Sequence, residues 1–108
     1  VGEAAELLSS VHFHTMKYFA FTLIAIGILN FLSFCIIAMS IGGDAVDGRI
    51  DGGRYFVSAH GRDTEVSRSA FEYSRFHARS VWVTHPLAFC GFVLLFAEHE
   101  KRKARPSA

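Results

Sequence analysis

The chain has 108 residues, a formal net charge of +1, a hydrophobic fraction of 51% and 11 Phe. A charge so near balance excludes bulk nucleic-acid binding, because no basic surface is large enough to neutralise several phosphates. Two cysteines exclude a disulfide framework, and the absence of HExxH, P-loop, GxGxxG and GxSxG motifs leaves no enzyme, cofactor or metal centre to expect.

Residues 1–17 have no Gly or Pro after Gly2 and carry Ala4, Leu7, Leu8, Val11 and Met16 at spacings of three to five. This pattern predicts an amphipathic helix lying along a membrane interface. From Tyr18 to Ile41 no ionisable carboxylate, amine, guanidinium or imidazole occurs. As a helix this stretch spans roughly 36 Å, enough to cross a bilayer, whose core supplies no water to backbone amides and so requires them to pair internally. Ala38, Met39 and Ser40 resemble a signal-peptide cleavage site, but the apolar run exceeds an ordinary h-region and is read as an anchor.

Residues 42–80 differ in kind, with six Asp or Glu and six Arg among glycines and aromatic residues. Turn signals at Asp47-Gly48 and Asp51-Gly52-Gly53 predict a small β-hairpin whose better strand is Arg54–Ala59. A helix is expected from about Glu65, capped by Thr64 or Ser67 and running into the second apolar run. That run, Val81–Ala97, reaches about 25 Å as a helix and is marginal alone, but Trp82 and the EHEKRK cluster are typical of its two interfaces. Pro86 lacks the N–H that a carbonyl near Trp82 needs, so a bend is expected there.

The expected fold is therefore all-α and membrane-embedded: a two-helix transmembrane hairpin with an N-terminal interfacial helix and a small extramembrane loop region. The boundaries are 1–17 interfacial, 18–41 first span, 42–80 loop, 81–97 second span and 98–108 basic tail. Lys17 and the four basic residues after Ala97 favour cytoplasmic termini and an extracytoplasmic loop. Cys35 and Cys90 differ in depth by roughly 6 Å in such a hairpin and are read as packing residues.

Helical projection gathers Thr22, Ala25, Ile26, Leu29, Ser33 and Ser40 on one face of the first span, with Asn30 on its shoulder. In the second it gathers Thr84, Ala88, Gly91, Leu95 and Glu98. Small residues let backbones approach where lipid offers no hydrophobic drive, so these two faces are expected to meet. Asn30 is the costliest uncharged group in either span and should find a partner, such as another Asn30 or a group on a different subunit. His85 is the one imidazole inside a span and the sole candidate cofactor ligand, although its place near the start of the run suggests an interfacial position. His12, His14 and His99 are a weak metal constellation, because i, i+2 rings on a helix diverge. His60 and His77 are read as polar surface.

Arg54, Tyr55, Phe56, Phe71, Tyr73, Arg75, Phe76 and Trp82 are residue types enriched at interface centres, and a loop this small cannot bury them all. They are expected to meet other integral membrane subunits, with the lipid headgroup layer taking some of them as an aromatic belt. The expected role is a small accessory subunit of a larger respiratory, photosynthetic or transport complex, in a hetero-oligomer. Alternatives are a homo-oligomeric pore or transporter, in which Thr22, Asn30, Ser33 and Thr84 face water, and a membrane-anchored binding or immunity-type protein.

Overall fold

The structure is a computed structural model that describes residues 2–104. Two long helices, α1 (Gly2–Ile41) and α2 (Arg68–Ala104), run antiparallel, and three strands connect them: β1 (Asp44–Asp51), β2 (Arg54–Ala59) and β3 (Arg62–Val66). The molecule is a rod of 72 × 22 × 18 Å with the sheet at one end. Both helices are long and apolar enough to cross a membrane.

α1 is one unbroken helix, so residues 2–17 are helical as expected but form no separate element. No proline occurs in that helix, and Phe13 lies against the Arg102 guanidinium, 3.9 Å from its ring centre, so the last turns of α2 support the first turns of α1. The helix ends where Gly42 and Gly43 take φ of 99° and 145° and both amides donate to the Ala38 carbonyl, at 3.0 and 2.7 Å. A Cβ at either position would also collide, with the Thr64 side chain or the Ser58 backbone. The double glycine therefore turns the chain directly onto the sheet.

The strands form an antiparallel meander in the order β1-β2-β3. Asp51 pairs with Arg54 across Gly52-Gly53, as the turn chemistry predicts, and Ala59 pairs with Arg62 across His60-Gly61. Both turns have positive φ at each central residue, the geometry that matches the twist of a two-residue hairpin. Asp47-Gly48 is not a turn. It falls in an irregular stretch of β1 between the Asp44–Ser58 and Arg49–Phe56 pairs, opened where Asp44 Oδ1 accepts the Val46 and Asp47 amides. The third strand corrects the expected helix start: residues 62–66 pair with β2, and α2 begins at Arg68. Ser67 is its cap, with Oγ accepting the Ala70 amide at 3.1 Å.

The sheet packs on the first turns of α2 around a small core of Ala45, Val57 and Phe71, flanked by Ile41, Tyr55 and Val66. Ser74, itself buried, ties β1 to α2 by accepting the Ala45 amide at 2.9 Å. On the outer face Phe56 lies beneath two guanidiniums, Arg49 at 4.7 Å and Arg54 at 5.4 Å from its ring centre. Arg54 in turn grips Glu65 with two hydrogen bonds, while Arg49 bridges Asp63 and Asp51. α2 continues through Pro86 as one helix.

Candidate functional site: a polar seam and an apolar recess between the helices

The helices touch through small residues. A Cβ on Gly27 would lie 2.5 Å from Ala88 Cβ and 3.0 Å from the Thr84 carbonyl oxygen; one on Gly91 would lie 2.7 Å from the Ala20 oxygen and 2.9 Å from Ile24 Cγ1. Each glycine thus receives a ridge of the opposite helix, and Ala20, Ile24 and Gly27 are the buried residues of α1. The α2 face expected from sequence, Thr84, Ala88, Gly91, Leu95 and Glu98, is half-buried or buried along its length. The α1 face is corrected. At ~100° per residue, the sector holding Thr22 and Ser33 is turned about 140° from Ala20 and Gly27, and both residues are exposed. Thr22 bonds its own Tyr18 carbonyl at 2.8 Å and Ser40 bonds Ile36 at 2.8 Å, so hydroxyls satisfied within the helix had no need of the seam.

Asn30 does reach the seam, and its partners lie in the same chain rather than on another subunit. Its Nδ2 donates to Ser80 Oγ and Thr84 Oγ1, each at 3.0 Å. Those hydroxyls spend their own protons on backbone carbonyls, Ser80 on His77 at 2.6 Å and Thr84 on Val81 at 3.5 Å, which leaves their oxygens free to accept. Asn30 Oδ1 is therefore the acceptor for His77 Nε2 at 3.0 Å, and this identifies the ring's protonated nitrogen. Nδ1 is left as an acceptor for the Tyr73 hydroxyl at 3.1 Å. Five side chains from two helices form one chain of donors and acceptors with every role consistent. Among the described residues no buried side-chain nitrogen or oxygen lacks a partner.

His77, read from sequence as surface, is thus corrected to a buried member of the seam, 8% exposed and edge-on to Phe34. Its i+3 and i+7 relation to Ser80 and Thr84 carries the same period as the α2 seam, and that spacing was the available signal. His85 is also repositioned. In register with α1 it stands beside Gly27 and Phe31, edge-on to the Phe31 ring at 5.0 Å, midway along the apolar part of the hairpin rather than at its rim. It borders a recess of about 290 Å³ lined by Gly27, Ile28, Phe31, Leu32, Ala88, Phe89 and Phe92. Cys35 and Cys90 are both free thiols. His12, His14 and His99 belong to no cluster of three or more metal-ligating side chains among the described residues.

The expected recognition residues separate into three groups. Phe71 is corrected to core, 3% exposed, and Tyr55 packs on it with ring centres 5.4 Å apart. Arg54 and Phe56 are engaged with each other on the outer face of the sheet, and Arg75 lies over the Phe71 ring at 5.7 Å. Tyr73, Phe76 and Trp82 remain exposed on α2, the last by 77%. The expectation from sequence is that a loop this small cannot bury them all; Phe71 is buried, Tyr55 and Phe56 are half-buried, and the other five are exposed.

Comparison with known protein families, curated proteins and solved structures gave no match to this chain.

Proposed function

We propose that this chain is a two-span integral membrane protein acting as a small accessory subunit of a larger membrane complex. The observation that carries the reading is the direction in which polarity points. Along the apolar stretches Asn30, Ser80 and Thr84 turn inward and bond one another, while Phe19, Leu29, Ile36, Phe89 and Phe96 are exposed. That distribution suits hydrocarbon, where outward polar groups are costly and outward Phe, Leu and Ile are not.

Helix register sets the depth. Lys17 stands level with Leu95 and Glu98 around one recess, so one edge of the hydrocarbon falls there. A layer ~30 Å thick takes about 20 helical residues and ends near Ile37 on α1 and Ala78 on α2. Arg79 is then within a side chain's length of the headgroups, which its stem can reach. Tyr73 and Phe76 lie at that rim with the sheet resting on the surface beyond it. The basic residues at the opposite end, Lys17, Lys101, Arg102 and Lys103, favour cytoplasmic termini.

The accessory role rests on what the hairpin leaves uncovered. Asn30, Ser80, Thr84 and His77 bond within the hairpin, and the aromatic side chains at Tyr73, Phe76 and Trp82 ring an edge that lipid or a neighbouring subunit can cover. Alkaline carbonate extraction tests the spans: the chain should stay with the membrane. Thiol labelling of Lys103→Cys and Arg62→Cys, in a Cys35→Ala/Cys90→Ala background, should place the two positions in different compartments. Purification in mild detergent tests the role. Larger integral proteins should accompany the chain in fixed ratio, whereas a ring of identical chains that conducts ions would establish the pore instead.

A further inference from the structure

The two flanks of the helical seam are unequal. On one, Asn30 spans the gap to Ser80 and Thr84 and closes it. On the other, Gly27 and Ala88 form a shallow floor and Phe31, Leu32, Phe89 and Phe92 rise around it, with His85 at the edge. The His85 ring has an aromatic contact with Phe31 and no hydrogen-bond partner among the described residues. A neutral imidazole always presents one N–H donor and one lone-pair acceptor.

We propose that this recess binds a lipid-soluble ring carrying a carbonyl oxygen, a molecule of the quinone class, with the His85 N–H donating to that oxygen. The inference rests on the membrane-spanning reading, which puts His85 about ten residues, or roughly 15 Å, inside the hydrocarbon edge at Lys17. Water is absent at that depth, so the occupant itself must supply the missing partner. An acyl chain carries no such group. A third helix fits poorly, because the recess extends over only two turns of each helix and its walls are aromatic rings rather than the small residues that admit a backbone. A volume of about 290 Å³ is at the small end of ligand pockets and suits a single substituted ring whose tail lies in lipid. Phe31, Phe89 and Phe92 offer that ring edge-to-face and offset contacts. The same imidazole serves the reduced form, its lone pair accepting from a ring hydroxyl.

Trp82 is the only tryptophan, exposed and one helical turn before His85, close enough to be quenched by a ring held in the recess. The full chain in phosphatidylcholine vesicles, titrated with a decyl-tailed benzoquinone, should show a saturable loss of Trp82 fluorescence above the linear collisional background. His85→Leu should abolish the saturable part. His85→Gln, which keeps an N–H, should retain it with an apparent Kd raised about 3–10-fold. Linear quenching alone in the unaltered chain, or a saturable part unchanged in His85→Leu, overturns the proposal. A His85-dependent cross-linked dimer in place of saturable quenching assigns the recess to a second copy and overturns it too. Carbonate washing of the same vesicles separates the two inferences: a retained chain without saturable quenching overturns the ring site alone, and a released chain overturns both.

Discussion

On the proposed membrane-spanning reading, replacing Asn30 by Leu should leave the protein in the membrane and loosen the contact between its helices. Leu is more favourable than Asn in hydrocarbon, so insertion gains from the change. Three side-chain hydrogen bonds disappear: two donated to Ser80 and Thr84 and one accepted from His77. The losses are unequal. Ser80 and Thr84 keep the carbonyls they already donate to, but His77 Nε2 is left with only the backbone oxygen of residue 30 at 3.3 Å. Interhelical hydrogen bonds in membranes average ~0.6 kcal/mol each with a maximum near ~1.7, so the variant should lose about 2 kcal/mol. Unfolding in mixed micelles with increasing SDS, followed by Trp82 fluorescence, measures this. His77→Phe and the double variant complete a cycle in which the Asn30–His77 coupling should be about 1 kcal/mol. A variant as stable as the parent, or two losses that simply add, would refute the hydrogen-bonded seam and leave small-residue packing as the sole source of contact.

Gly27→Ile should separate the helices, since even its Cβ would lie 2.5 Å from Ala88 Cβ; a loss of about 1–3 kcal/mol in the same micelle assay, against little effect from Ala25→Ile on the exposed face, is the expected contrast. Ser67→Ala removes the acceptor for the Ala70 amide and should cost the junction between sheet and α2 about 1 kcal/mol, seen as faster amide exchange at residues 68–71. Acid should weaken the sheet. The Ser58 hydroxyl and then Arg49 hold the Asp63 carboxyl below its ordinary range, and Arg54 does the same for Glu65. Their folded pKa values are thus lower than the unfolded ones, near 3.8 and 4.5, so the contribution is complete above those values and is lost as pH falls through the folded ones. Amide exchange in β2 and β3 should accelerate below about pH 4, and Arg54→Leu should flatten that dependence.

Much of this architecture was legible in the residue order because it depends on long unambiguous runs. An uncharged stretch from Tyr18 to Ile41 has one helical solution in an apolar setting, and Asp51-Gly52-Gly53 has the φ freedom a tight hairpin needs. The α2 seam was legible because Thr84, Ala88 and Gly91 are small on a helix otherwise rich in Phe and Leu. The α1 seam was not, because two cues disagreed. Polarity pointed to Thr22 and Ser33; size pointed to Ala20 and Gly27, about 140° around the helix. Size won, since a hydroxyl can be satisfied by its own helix while a close backbone crossing has no substitute for a missing side chain. The third strand escaped notice because Arg62–Val66 carries three charged residues in five, unlike an apolar strand. It is an outer strand, and Glu65 and Asp63 are held there by arginines from β2 and β1.

The seam and the recess follow from the same pair of helix faces. Two helices in contact along a line leave a groove on each side of it, and the side chains next to the line decide what each groove becomes. Asn30 lies on the flank where Ser80 and Thr84 present oxygens, so that groove is bridged. The other flank has Phe31 against His85, a contact of ring edges with no hydrogen bond to draw the helices together, and Gly27 and Ala88 keep its floor low. A hairpin stapled on one flank cannot roll to close the other, because Gly91 and Ala20 already sit at the limit of approach below it. Rigidity on the Asn30 side thus holds the His85 side open. Loosening the staple should therefore disturb the recess as well: in Asn30→Leu the saturable quenching of Trp82 should weaken although no residue lining the recess has changed. Unaltered quenching in that variant would show that the two flanks are mechanically independent.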